Sequence, residues 1–224
     1  AKDTLKIINL CKKKKIKVIE DASESLGAKI NNNKTGYFGD ISVFSTRSEK
    51  MIGSGEGGII LTNKKKLYDK ILLYCSRHAP FRKKTDPYWK KYYVNGEGYN
   101  YLMPHLPGAF ARAQIERFEK NLLNKKRIVG NFYNKHFKET ANYRIVQKKL
   151  NHTMPVYWLN AIYFKKLTKK RVRKLGIFLM KNGIEVRSGF WPLAKMKNFK
   201  SKYVGYKKIS DDIFNKIIVL PSNI

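Results

Sequence analysis

Apolar residues at Leu5, Ile8 and Cys11 keep a helical spacing, so the stretch from Thr4 to Lys14 predicts a helix. The pattern then changes to the β-branched run Lys17-Val18-Ile19-Glu20-Asp21, which predicts a buried parallel strand ending at an acid. Ile41 to Phe44 and Ile59 to Thr62 are short runs bounded by glycine and predict two more strands. Asn63 is placed to cap a helix running from Lys64 to Ser76. From Pro80 to Gly98 there are two prolines, several aromatics and no period, which predicts a mobile loop. Pro107 suits a first helical turn, and Ala111, Ile115, Phe118, Leu122, Val129 and Phe132 follow at steps of three, four or seven, predicting one long amphipathic helix. Strands near Val156 to Ala161 and Ile184 to Arg187 flank a helix over Lys169 to Lys181. Strands alternating with helices indicate an α/β chain. Two domains are expected, one over residues 1–125 and a smaller one over 126–224.

Composition adds a core and an excess of positive charge. With 224 residues and 42% hydrophobic content the chain can bury a sizeable core. No apolar stretch approaches the roughly 20 residues that span a bilayer, and no charged-then-apolar leader opens the chain, so a cytoplasmic protein with no membrane partner is expected. Cys11 and Cys75 lack paired metal spacing, and no disulfide or metal site is expected. The formal charge of +32 would suit a phosphate-rich partner. The lysines are scattered, however, and no zinc-finger, RNP or helix-turn-helix pattern accompanies them, so nucleic acid is not the expected partner. Lysine, isoleucine, asparagine, tyrosine and phenylalanine are all abundant and share A/T-rich codons, which accounts for much of the charge. A cationic surface would also draw in an anionic sugar diphosphate.

The candidate chemistry sits around the first strands. Lys50 follows Phe44-Ser45-Thr46-Arg47-Ser48-Glu49 and precedes the glycine cluster from Gly53 to Gly58. An amine on a flexible stem in a partly desolvated pocket can lose its proton and form a Schiff base. Asp21, at a strand's carboxyl end, could keep a pyridine nitrogen protonated, and a strand exit such as Phe44-Ser45 offers hydroxyl and N–H donors to a phosphate. Together these are the groups needed to hold pyridoxal 5'-phosphate (PLP). Taken singly, Lys50 could be a solvated surface group, Asp21 a turn cap and the glycines tight-turn formers.

The ordered blocks Val18 to Ala28, Gly36-Tyr37-Phe38-Gly39-Asp40-Ile41, Phe44 to Lys50 and Gly55-Glu56-Gly57-Gly58 resemble those of the DegT/DnrJ/EryC1/StrS family. So do Gly98 to Met103, Ala113-Gln114-Ile115-Glu116, Gly183 to Arg187 and Leu220-Pro221-Ser222, in the same order. The resemblance implies a PLP-dependent transferase of fold type I. It implies the second half of a large mixed-sheet domain followed by most of a small α/β domain, the interior of a longer enzyme.

By the same resemblance Lys50 would carry the Schiff base and shuttle protons, Asp21 would pair with the pyridinium nitrogen, and Ser45 would bond the phosphate. Asn100 would reach the phosphate of a second subunit, implying a homodimer with shared sites. Glu24 stands where most members carry glutamine and a branch similar to perosamine synthases carries glutamate, beside the cofactor's 3′-oxygen. Arg187 and His78 are candidate substrate contacts. Leu102, Thr46 and Ala79 depart from the usual arginine, aromatic and glycine. The implied activity is transamination of a nucleotide-linked 4-keto-6-deoxy sugar, with glutamate as amino donor. Two other classes stay open on sequence alone: a basic nucleic-acid-binding protein on an old scaffold, and a catalytically inert remnant.

Overall fold

The computed structural model describes residues 2–79, 87–90, 92–94, 96–197 and 207–223, and the chain divides into two units, Ala1–Glu119 and Lys120–Ile224. In the predicted loop from Pro80 to Gly98, residues 80–86, 91 and 95 lie outside the described residues, and Tyr88–Lys90 form a short 3-10 turn.

In the first unit a helix, α1 (Lys2–Lys13), leads into strand β1 (Ile19–Asp21). A hairpin of β2 (Lys29–Ile30) and β3 (Asn33–Lys34) turns at Asn31 and Asn32, with φ of 48° and 65°. Asparagine tolerates this left-handed pair, which matches the twist of a two-residue hairpin. β4 (Ile41–Ser45) runs parallel to β1, aligning Asp21 with Val43, and β5 (Gly58–Leu61) returns antiparallel, aligning Ser45 with Gly58. The three-stranded sheet is thus ordered β1-β4-β5.

Strand alternation gives this sheet two different faces. Glu20, Ser42 and Phe44 share one, and Ser42 and Phe44 are buried. Glu20 fixes the following loop from that face: its carboxylate accepts from Gly36 N at 2.7 Å and Phe38 N at 3.1 Å. Gly36 is required there, because its φ is +94° and a Cβ would come within 2.4 Å of the Phe44 ring. Ile19, Asp21, Val43 and Ser45 occupy the other face.

Helix α2 (Lys65–Cys75) starts one residue later than expected, and Asn63 does not cap it. The N-cap is Lys64, with no side-chain cap bond; the Thr62 hydroxyl accepts the Lys64 N–H at 3.2 Å and donates to Asp40 O at 2.7 Å, holding the entry to the helix. The long helix predicted from Pro107 is also not continuous. α3 (His105–Glu116) ends at Arg117, six residues from Phe118 to Leu123 widen into a π-helical turn, and α4 (Asn124–His136) follows. Phe118 and Leu123 are both buried, so the widened turn keeps apolar side chains inward while the backbone changes pitch.

The second unit has a four-stranded antiparallel sheet, ordered β6-β8-β10-β9, from β6 (Tyr143–Ile145), β8 (Asn160–Phe164), β9 (Arg187–Ser188) and β10 (Ile217–Leu220). β7 (Thr153–Met154) is a two-residue strand. Ile145, Ala161, Ile162, Val172, Ile218 and Val219 form the buried core. Helix α5 (Lys169–Lys181) matches its predicted span, opened by Thr168 accepting Arg171 N and closed by Gly183 at φ +75°. Ile184 N–H bonds Leu179 O and Gly183 N–H bonds Met180 O, the double closure of a Schellman end. The strand expected at Ile184 to Arg187 begins only at Arg187, as β9: Ile184 N–H is used in the helix closure and Val186 N–H meets Met180 Sδ at 3.3 Å. β8 likewise begins later than predicted, since Tyr157 takes φ 52° and packs on Gly130. Helix α6 (Lys207–Lys216) precedes β10.

Candidate active site

Lys50 lies in the connection from β4 to β5, and that connection is tied to itself by backbone bonds. Thr46 N–H bonds Gly57 O at 3.0 Å, Ser48 N–H bonds Gly55 O at 2.8 Å, and Lys50 N–H closes a turn onto Arg47 O at 2.9 Å. Met51 and Ile52, next along the chain, are buried. The backbone is therefore anchored on both sides of the lysine. Its side chain is only 13% exposed, and Nζ donates to Glu24 Oε1 at 3.1 Å.

Asp21 ends β1, next to β4. Its Oδ1 accepts from Ser23 Oγ at 2.5 Å and Ser23 N at 3.0 Å. These two bonds hold its carboxyl below the ordinary range, and the nearby Lys50 charge adds to the effect. The field of Lys50 therefore reaches both Glu24 and Asp21. Ser45 shares Asp21's face and accepts from Arg47 N at 3.3 Å through Oγ. Thr46, beside it, is 1% exposed, and its hydroxyl is among the described buried side-chain atoms with no hydrogen-bond partner.

The other candidates lie on other elements. Asn100 is exposed and bridges Ser76 through the backbone, while Tyr99 and Tyr101 on either side stack with ring centres 5.1 Å apart. His78 follows α2 with φ 53°, its N–H bonded to Leu73 O at 2.7 Å, and its ring lies against Gly96. Arg187 belongs to the second unit, where it is exposed and pairs with Glu185 at 3.1 Å. A cavity of about 610 Å³ in the first unit is lined by Phe44, Ile52, Ile59, Ile115 and Phe118 and does not include Lys50, Asp21 or Ser45.

Two features of the site were not foreseen from sequence. One is Thr46, noted there only as a departure from an aromatic. The other is Gln114, whose amide bonds both backbone groups of Gly53. The available signal for Gln114 was its place in the block from Ala113 to Glu116.

A loop lysine between two carboxylates, at the carboxyl ends of parallel strands, defines an α/β protein with an amine-centred site. The whole chain, residues 1–224, matches the DegT/DnrJ/EryC1/StrS aminotransferase family, and the protein belongs to that family. It is 32% identical over 220 residues to GDP-perosamine synthase of Escherichia coli O157:H7, covering 98% of this chain and 57% of that one. It is 29% identical to the UDP-4-amino-4,6-dideoxy-N-acetyl-beta-L-altrosamine transaminase of Campylobacter jejuni serotype O:2, covering 96% and 56%. Its fold matches Helicobacter pylori PseC, an aminotransferase involved in the biosynthesis of pseudoaminic acid, with a TM-score of 0.82 at 22% identity, covering 96% of this chain and 56% of that one. The fold class read from the sequence is therefore correct. The chain spans about half the length of the curated relatives it matches. Among the described residues no helix is long and apolar enough to cross a membrane, and no group of three or more potential metal ligands occurs.

Proposed function

We propose that this chain carries the lysine-bearing part of a cytoplasmic, PLP-dependent nucleotide-sugar aminotransferase. The enzyme would move an amino group, with glutamate as donor, onto a nucleotide-linked 4-keto-6-deoxy sugar. The observation that carries this reading is the placement of Lys50 Nζ 3.1 Å from Glu24 with Asp21 within range of the same charge.

The residues present fit the cofactor. Asp21 has a carboxyl held ionised by Ser23, as a partner for a protonated ring nitrogen must be. Ser45 brings a hydroxyl to the same sheet face, and Thr46 has an unused buried hydroxyl beside it. Bound PLP supplies an electron sink for the charge that develops when the donor amino acid loses its Cα proton. The chain's own groups do the rest. Lys50 would hold the cofactor through its amine and serve as the base for the donor's Cα proton. Asp21 would keep a proton on the ring nitrogen, Ser45 would donate to the phosphate, and Glu24 would face the 3′-oxygen. Asn100 would serve the phosphate of a second subunit in a homodimer, and His78 and Arg187 would contact the sugar nucleotide.

The test is reductive trapping. The protein incubated with PLP and treated with borohydride should carry the cofactor's mass on the peptide containing Lys50, and Lys50→Ala should carry none. A wild-type protein that takes up no cofactor, behaving like Lys50→Ala, would overturn the reading.

A further inference from the structure

Gly53 is three residues beyond Lys50, and one side chain holds both of its backbone polar groups. Its N–H donates to Gln114 Oε1 at 3.1 Å, and its carbonyl accepts from Gln114 Nε2 at 2.7 Å. Gln114 sits on α3, 61 residues away, and its Nε2 also donates to Phe110 O one turn back at 3.2 Å. The amide is therefore oriented from its own helix while it grips the loop.

This grip reaches a point that the strand ladders do not. The β4–β5 pairing stops at Ser45 and Gly58, and the next ties are Thr46 to Gly57 and Ser48 to Gly55. Gly53 lies inside that closed loop, where it approaches Ser48 so closely that a Cβ would come within 2.7 Å of Ser48 O. Ser54 then returns to the strand exit, its N–H bonded to Thr46 O at 2.8 Å. Between the Arg47–Lys50 turn and that return, the buried Met51 and Ile52 supply apolar anchoring and Gln114 supplies the polar anchoring. An amide that both accepts from and donates to one residue does what a neighbouring strand would do.

We propose that Gln114 is a positioning residue for Lys50. By fixing Gly53, it sets the backbone from which the lysine reaches toward Glu24 and Asp21. The reading rests on the proposed role of Lys50. Displacing a reacting group by about 1 Å can cost on the order of a hundredfold in rate, so such a support matters to the chemistry.

The experiment uses the whole chain without added cofactor and reads two quantities: hydrogen exchange at the Gly53 amide, and the rate of Lys50 labelling by an amine-acylating reagent. In Gln114→Ala, Gly53 exchange should speed up roughly tenfold or more while Phe44 and Ile59 amides stay protected. Lys50 labelling should change in rate at least about threefold, because the amine leaves its partners. Gln114→Glu keeps an acceptor for Gly53 N–H but loses the donor to Gly53 O. It should fall between wild type and alanine, and it carries the test if the alanine variant does not fold. Unchanged Gly53 exchange would overturn the clamp. Faster exchange with wild-type labelling of Lys50 would overturn its link to the lysine. Neither readout involves PLP, so failure of cofactor trapping would sink the proposed function separately from this inference.

Discussion

Lys50 Nζ and Glu24 Oε1 lie 3.1 Å apart, joining the connection after β4 to the turn after β1. The lysine side chain is mostly covered and the glutamate is 51% exposed, so the pair is screened on one side. Glu24→Gln keeps an oxygen that can accept from Lys50 but removes the charge. Its PLP affinity should stay within about threefold of wild type, whereas Glu24→Ala should weaken binding roughly three- to tenfold. Equilibrium titration of the cofactor against each variant measures this.

Asp21 offers a sharper contrast. On the proposed function, Asp21→Asn would preserve shape and a bond to Ser23 but would not keep a proton on the ring nitrogen. Transamination should fall by about a hundredfold or more, while thermal stability changes little. A single-turnover assay with the amino donor, run beside a melting curve, separates the two effects.

Acid stability depends on two carboxylate clusters, one around the half-buried Asp40 and one around the exposed Glu139. Asp40 is held at about 2 by Lys64, Val18 N–H and Lys17, and Glu139 at about 2 by Lys148 and Lys165. Both folded values lie below the unfolded ones. Their stabilisation is therefore complete above about pH 4.5 and is lost as pH falls toward 2. The melting temperature of wild type should fall more steeply across that window than that of Asp40→Asn or Glu139→Gln.

Lys126 works in the opposite pH range. It is buried in the second unit, with Nζ bonded to Ser222 O and to Trp158 O at 3.3 Å, and burial pushes its amine below the ordinary lysine value. A lysine lowered in the folded state costs stability while charged, and that cost is relieved as pH rises through its folded value. Tyr133, Tyr157 and Tyr163 are raised, so as pH rises further they act the other way. Comparing wild type with Lys126→Met between neutral and alkaline pH isolates the lysine. The variant should lack the upward contribution and keep the phenolic decline.

Two glycines separate backbone strain from steric conflict. Gly55 has φ +90° but open space around it, so Gly55→Ala should cost about 1 kcal/mol from conformation alone. Gly36 combines φ +94° with the Phe44 ring, and Gly36→Ala should cost roughly 2–4 kcal/mol. Denaturant midpoints for the two variants should differ accordingly.

What the sequence made legible follows the range of the interactions involved. Helix α5 kept its expected limits because its start and stop are local: Thr168 at one end, Gly183 at the other. The placement of Asp21 and Ser45 on one face follows from strand period once β1 and β4 pair in parallel. The break after Glu116 was invisible, because apolar steps of three and four continue across Phe118 and Leu122 whether the turn is α or π. The bond of Lys64 N–H to Thr62, with no cap from Asn63, goes with the Thr62 bond to Asp40 O, 22 residues away from Thr62. The grip of Gln114 on Gly53 depended on a contact 61 residues long, which no local pattern encodes.

The two-sided character of the β1-β4-β5 sheet has a practical use. Glu20, Ser42 and Phe44 secure the interior side, whereas Asp21 and Ser45 emerge on the other. Editing the second set leaves the first untouched, so on the proposed function a version lacking the cofactor contacts of Asp21 and Ser45 would keep the interior bonds of Glu20. Such a version is the right reference for separating ligand capture from turnover.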